Sequence, residues 1–269
     1  MNKNIVLFLI LTISGVANSQ SEETKIKKFR FSSIGFEMGR TVDRYARINL
    51  ETMYDLTKDP TLLDRNLTDH TVIYDRIVEG SKIGFSTSIV HYNEEKEAYS
   101  SNQEIRFGLY YSERGTHLGY NFVDTSGGYR SVNYSTRFKE LSINGAYVYK
   151  YNPESARRFT FHAGPALSIG MSLNDKTSVA EHFSSGAPGE IPFSKFNEYA
   201  GKTSLFIRTY APVGIDFAIG ERFDIGAEGT VGMGIQEVIG GSTYIIPFSW
   251  SATVRLSFFF GGGAINSDK

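Results

Sequence analysis

The chain has 269 residues, 28 Lys and Arg against 29 Asp and Glu, and no cysteine. A net charge of −1 gives it no electrostatic case for binding nucleic acid, and the missing cysteine excludes disulfides, thiolate metal sites and a cysteine-borne lipid anchor. A mean hydropathy of −0.23 excludes a helical membrane protein, but not a barrel, in which half of each strand is polar.

The remaining composition favours strands: 14% aromatic residues and 27 glycines against 7 prolines suit many strands joined by tight turns. The chain opens with a targeting pattern. Lys3 supplies a positive start, Ile5 to Ile13 an apolar stretch, and Ala17-Asn18-Ser19 small residues at the cleavage subsites. Export is expected, with residues 1–19 removed after Ser19. That apolar stretch is too short to span a bilayer, which takes about 20 residues. Residues 20–27 form a short polar lead and 28–260 the main domain, followed by a tail, 261–269.

The first strand is expected from Lys28 to Met38. Phe29 and Phe31 share a face with Ile34, Phe36 and Met38 only if a bulge sits near Ser32-Ser33. Arg40 to Ser81 reads as a long polar loop with Pro60 in it, where Leu50, Met53 and Tyr54 could form one short helical stripe packed as a cap. Unstructured stretches of this length are uncommon in compact domains and tend to be functional. The second strand runs from about Lys82 to Tyr92 with Ile83, Phe85 and Ile89 outward; Asn93 to Ser101 is a charged turn.

From Gln103, Ile105, Phe107, Leu109 and Tyr111 face one way and Arg106, Gly108 and Tyr110 the other. At Ser112–Gly115 the apolar phase slips, because Leu118, Tyr120 and Phe122 are even. Ser126-Gly127-Gly128 is a turn signal, and a return strand runs from Tyr129 to Lys150 with Leu141, Ile143, Tyr147 and Tyr149 on one face. After the Asn152-Pro153 turn, Arg158 to Met171 alternates again. Ser172 to Lys202 is a second long loop containing Gly186-Ala187-Pro188-Gly189. Thr203 to Ile219 (Leu205, Ile207, Val213, Ile215 and Phe217 outward) and Phe223 to Ile235 flank the Gly220-Glu221 turn. After a Gly240-Gly241 loop, Tyr244 to Phe260 closes the chain. Its even positions, Tyr244 and Ile246 through Phe258 and Phe260, are apolar; its odd ones include Ser249, Ser251, Thr253, Arg255 and Ser257.

A tilted strand crossing a bilayer needs about 9–11 residues, against roughly 5–6 for an ordinary strand. The pattern therefore predicts an all-β, antiparallel up-and-down transmembrane barrel of about eight strands, with apolar residues toward lipid and polar ones toward the lumen. Ten strands result if Ser112–Gly115 and Phe138–Glu140 are hairpin turns. An even count and alternating loop lengths put both ends and the short turns on the periplasmic side of an outer membrane. Tyr147, Tyr149, Trp250, Phe258 and Phe260 are candidates for interfacial aromatic girdles.

Phe107-Gly108-Leu109-Tyr110-Tyr111-Ser112-Glu113-Arg114-Gly115 resembles the third strand of the small porin-like (PorT-type) outer-membrane barrel domain. Leu141-Ser142-Ile143, the Tyr147–Tyr151 run and Phe161-His162-Ala163-Gly164-Pro165 are similar to its next two strands. Asn144-Gly145 stands where that family usually has a proline. The resemblance implies an eight-stranded outer-membrane barrel and brings no catalytic residues with it.

Polar residues on the expected inner faces include Glu37, Arg106, Glu140, His162, Arg208, Asp216, Asp224, Glu228 and Arg255. The bore of a barrel this size is filled by side chains, and buried charges need partners. The expectation is a plug of ion pairs; the sharper alternative is a narrow solute path. Enzymatic parts are missing from the motifs. His70, His91, His117, His162 and His182 show no metal-ligand spacing, and no G-x-S-x-G elbow occurs. Inward glycines across Gly226 to Gly234 fit lumen packing better than phosphate binding. Asn66-Leu67-Thr68 and Asn133-Tyr134-Ser135 match a glycosylation pattern that fits poorly with a protein of this type. No cofactor is expected. The partners expected are outer-membrane lipid and a surface partner reached through the loops at 40–81 and 172–202. The alternatives are a small channel, a barrel enzyme acting on lipid or peptide, and a soluble secreted sandwich.

Overall fold

The computed structural model describes residues 29–58, 71–74, 77–93, 98–99, 102–123, 127–156, 158–185 and 193–260. The targeting pattern, the lead, Pro60, the Asn66 acceptor sequence, His70, the Gly186–Gly189 turn and the tail lie outside them. The strands are β1 (Phe29–Arg44), β2 (Thr71–Tyr74), β3 (Ile77–Asn93), β4 (Ala98–Tyr99), β5 (Gln103–Val123), β6 (Tyr129–Tyr151), β7 (Phe159–Ala163), β8 (Ala166–Ser184), β9 (Phe193–Ala200), β10 (Ser204–Ile219), β11 (Phe223–Val238) and β12 (Thr243–Phe259). Among the described residues one α-helix, α1 (Leu50–Leu56), follows β1, and a 3-10 turn covers Glu154–Ala156.

All pairings are antiparallel, and β1 pairs with β12, from Ser33↔Phe259 to Arg44↔Phe248, so the sheet closes on itself. The ring has eight walls: β1, β3, β5, β6, β7 with β8, β10, β11 and β12. β7 and β8 are one wall interrupted at Gly164-Pro165, where proline has no N–H to give the ladder. β2, β4 and β9 add on to β5, β3 and β8 at their ends. The wall count is eight rather than ten, because β5 runs unbroken through Ser112–Gly115 and β6 through Phe138–Glu140. Closure also removes the sandwich alternative, since among the described residues no second sheet packs on the outward faces.

Two places show how the chain sets its phase. The β1–β3 register shifts between Phe31 and Ser33. This bulge turns Phe29, Phe31, Ile34, Phe36 and Met38 all outward, as the alternation required. A second shift opposes Gly232–Gly234 with Ser249 and Ile246, putting one extra residue into β12 around Pro247. Phe248, Trp250, Val254 and Leu256 face outward, but Ile246 is fully buried inside and Ile245 takes the outer side. The sequence reading, which kept Tyr244 and Ile246 in the outward set, is corrected by this bulge.

The slip expected at Ser112–Gly115 is also corrected. Burial alternates without a break from Glu104 to Leu118, so the backbone phase is constant. What changes is the chemistry of the two sides. Below this level the inside is polar and the outside apolar; above it Leu118 and Tyr120 point inward into an apolar cluster with Val132, Tyr134 and Phe138. The same inversion made the polar loops look longer than they are. β1 runs to Arg44 and β3 begins at Ile77, and most of the second loop is the β8–β9 hairpin, pairing Lys176↔Ala200 through Phe183↔Phe193.

The rim holding Phe29 and Phe260 is the lower one here, and the rim holding α1 the upper one. Turns at both use glycines in the left-handed region, Gly220 (φ 74°) below and Gly240 (φ 73°) above, which side chains with a Cβ rarely adopt.

Candidate functional site

The inward side chains make three layers. The lowest is a linked set of charges. Arg106 lies 2.7 Å from Glu104 and 2.5 Å from Glu228, and Lys150 lies 2.6 Å from Glu104. Arg255 lies 2.8 Å from Asp216. His162 sits between two carboxylates, with Nδ1 3.0 Å from Asp216 and Nε2 3.0 Å from Glu228. Only the Nε2 contact has hydrogen-bond geometry. With both ring nitrogens facing carboxylates, the ring has none left to activate a hydroxyl.

The middle layer is a second charge cluster. Arg114 pairs with both Asp43 and Glu140, and Arg208 lies 2.9 Å from Asp43 and 3.3 Å from Glu140. Arg208 also covers the Phe206 ring at 3.8 Å. Between the two clusters is a polar cavity of about 50 Å³, lined by Lys82, Tyr110, Asn144, Tyr210 and several Ser and Thr. The Lys82 ammonium lies 3.9 Å from the centre of the Tyr110 ring. That ring fits because its neighbours are glycines: a Cβ at Gly84 or Gly108 would come within 2.3 or 2.2 Å of it. Gly226 is small for the same kind of reason, since a Cβ there would stand 2.1 Å from Asp216 Oδ1.

The top layer is apolar. Met53 and Leu56 of α1 reach down onto Val78, Leu118, Tyr134, Phe138 and Ile246, with Tyr45 and Ile48 beside them. α1 is only seven residues, and it starts with a capping box in which Asn49 Oδ1 accepts from Thr52 N (3.0 Å) while Thr52 Oγ1 accepts from Asn49 N (3.2 Å). Two tethers hold it. Asp55 Oδ2 accepts from Ser242 N (3.1 Å) and the Tyr244 hydroxyl (2.7 Å), and Lys202 N donates to Leu56 O (2.8 Å) while Lys58 N donates to Ala200 O (2.9 Å). A hydrogen-bonded string separates this layer from the charges: Tyr45 donates to Gln236, Gln236 to Ser204 (2.6 Å), and Ser204 meets Ser172 (2.5 Å).

The residues singled out in the sequence are all inward but not all together. Arg106, His162, Asp216, Glu228 and Arg255 share the lower cluster, and Glu140 and Arg208 the middle one. Glu37 lies near Tyr110, with one carboxylate oxygen unpartnered among the described residues. Asp224 is buried near the lower rim, with no cation within ion-pair distance among the described residues. Asp43, Lys82, Glu104, Arg114 and Lys150 were not singled out. Strand parity carried four of them: Glu104 and Arg114 share it with Arg106, Lys150 with Glu140, and Lys82 opposes Ile83. Asp43 fell beyond the point where β1 was expected to end.

Outside, the girdle candidates Tyr147, Tyr149, Trp250 and Phe260 are exposed. At the lower rim the rings touch one another: Phe258 with Phe260 (5.4 Å), Phe223 with Phe258 (5.2 Å) and Phe159 with Phe217 (5.0 Å). His182 bonds Ser194 in the exposed β8–β9 hairpin. Among the described residues no group of three or more His, Asp or Glu is arranged to hold a metal ion, and no helix is long and apolar enough to cross a membrane.

No family model matches the chain, and no curated protein does. Among solved structures, it is similar to Neisserial surface protein A (TM-score 0.36, 12% identity, 87% of this chain and 99% of that one). It is also similar to the attachment invasion locus protein Ail of Yersinia pestis (0.30, 13%, 86% and 99%) and to the outer membrane protease OmpT of Escherichia coli (0.33, 11%, 89% and 100%). At these scores and identities the likenesses carry no functional argument, and the barrel rests on its own strand pairing.

Proposed function

We propose that the chain is an integral outer-membrane β-barrel that does not conduct, has no catalytic site, and serves as a surface or scaffold protein. Its outward face supports the membrane part of this reading. Phe36, Met38, Ile83, Phe85, Phe107, Leu109, Ile143, Val254 and Leu256 are all large, apolar and exposed on adjacent strands. Contiguous apolar patches on soluble monomers rarely exceed a few hundred Å². The PorT-type resemblance of Phe107 to Gly115 and Phe161 to Pro165 fits the same picture.

The observation that carries the closed state is the layering of the bore. Ion pairs cross its lower and middle levels, and above them a mainly apolar layer is sealed by α1. A permeating ion would have to break buried pairs and then pass the mainly apolar layer under α1, which costs several kcal/mol. Binding specificity then belongs to the surfaces above the membrane: α1, the β5–β6 wall and the β8–β9 hairpin.

The test is single-channel recording of the refolded mature chain in a planar bilayer, with heat-shifted gel mobility to establish folding. A folded, silent barrel is the expected result. Steady conductance that changes on neutralising Arg106, Arg208 or Glu228 would replace this reading with transport.

A further inference from the structure

We infer that the outward face of β6 and β8, just above the apolar belt, binds a phosphate-bearing headgroup of the lipid leaflet around the barrel. The inference rests on the membrane-spanning reading and adds a ligand to it. Arg137 on β6 and Lys176 on β8 are direct cross-strand partners, and Lys139 lies two residues from Arg137 on the same strand. Arg137 and Lys176 are exposed, and Lys139 is half-buried. The next outward residues down these strands are Leu141 on β6 and Leu173 and Met171 on β8, all exposed. Lys139 stands directly opposite Leu173, so the cations begin where the belt ends.

Like charges directly opposite each other across strands repel. An anion beside such a pair relieves the repulsion. Among the described residues, two carboxylates on neighbouring strands face the group. Glu113 is the β5 partner of Lys139, and Glu198 on β9 lies 3.0 Å from Lys176. Three cations against two carboxylates leave one positive charge over. It falls on Arg137, which has no ion pair among the described residues. Its β5 partner is Gly115, which has no side chain to cover the guanidinium, and Glu79, beyond it on β3, is taken up by Arg40. Around the rim the contrast is clear: Arg40 on β1, at the same edge of the belt, is matched by Glu79 at 3.4 Å. An arginine fork open to one side suits a phosphate, which it binds bidentately, and the exposed leucines and methionine below suit the acyl chains of the same molecule. A free anion would use only the first of these features.

The experiment uses the full mature chain refolded into nanodiscs of phosphatidylcholine doped with phosphatidic acid, with retained lipid counted by native mass spectrometry. Phosphatidic acid is expected to be retained in preference to phosphatidylcholine. Arg137→Gln should reduce that preference about fivefold, the worth of one juxtamembrane cation. Arg40→Gln, at the matched site, should leave it within about twofold of the wild type. Equal retention of the two lipids, or a preference unmoved by Arg137→Gln, would overturn the inference while leaving the membrane reading intact. Displacement by millimolar inorganic phosphate would also overturn it, because the acyl chains would then contribute nothing. A chain that folds but never enters the discs would overturn the membrane reading and this inference together.

Discussion

Arg114 is almost fully buried and bonded to Asp43 and Glu140, which are buried too, with Arg208 as the second cation of the set. Two cations and two carboxylates share one level of the bore, so each charge is held by more than one partner. Pairs of this kind add little net stability compared with an apolar filling, because desolvation offsets the attraction, but removing one member leaves a charge stranded. Arg114→Met is therefore expected to cost about 3–5 kcal/mol, measured as urea-induced unfolding from lipid vesicles. Adding Asp43→Asn should recover part of that loss, because the stranded carboxylate is then neutral. Additive losses in the double variant would mean the two side chains are not coupled. By contrast Arg40→Gln, at an exposed pair, should cost about 0–1 kcal/mol.

At the scale of the element, α1 is the part whose position depends most on its surroundings. A seven-residue helix is marginal alone, since nucleation is costly. Met53 and Leu56, buried in the upper layer, and the Asp55 tether give it a place. Burial pushes the Asp55 carboxyl up, but the hydrogen bonds from Ser242 and Tyr244 outweigh it and hold the group below its ordinary value of 3.8. A carboxyl depressed in the folded state stabilises above its unfolded pKa and loses that contribution as pH falls through the folded one. Hydrogen exchange at the Ser242 amide should accordingly show constant protection from pH 7 down to about 4 and a loss only below that. Asp55→Ala should remove the protection at every pH, whereas unchanged protection in that variant would show that the tether contributes nothing. The cap also shows where the sequence stopped being readable. The eight walls were legible because apolar residues outside and charges inside make a strict alternation, and the bulge at Ser32 followed from the same rule. Above the belt the inside is apolar and the outside wet, so Leu118, Tyr120 and Ile246 looked outward-facing when they were not. Parity could name Arg106 and Glu228 as inward. It could not show that they meet, because that depends on the stagger between strands far apart in the chain.

For the whole molecule, closure is the decisive fact. Pairing of β1 with β12 closes the ring, and among the described residues no second layer covers the outward apolar side chains, which are left to face solvent or lipid. From Trp250 down to Phe260 the β12 belt covers ten residue steps, which at a strand rise of about 3.3 Å and a tilt near 40° gives roughly 25 Å, the height of a barrel's apolar band. Val254 lies at its middle, half-exposed, between Met38 on β1 and Ala227 on β11. Val254→Arg should then cost about 2–4 kcal/mol of folding stability in vesicles. The reason is that a guanidinium at mid-depth can neither reach water nor pair. The inward-facing neighbours on the same strand, Thr253 and Arg255, are polar already, so the penalty tests direction as well as depth. The comparison is Glu113→Arg, outward but above the belt, where the charge stays hydrated and the loss should be within about 1 kcal/mol. If both variants unfold at the same urea concentration as the wild type, the outward face is not in lipid. The closed ring would then need some other apolar cover over most of its circumference.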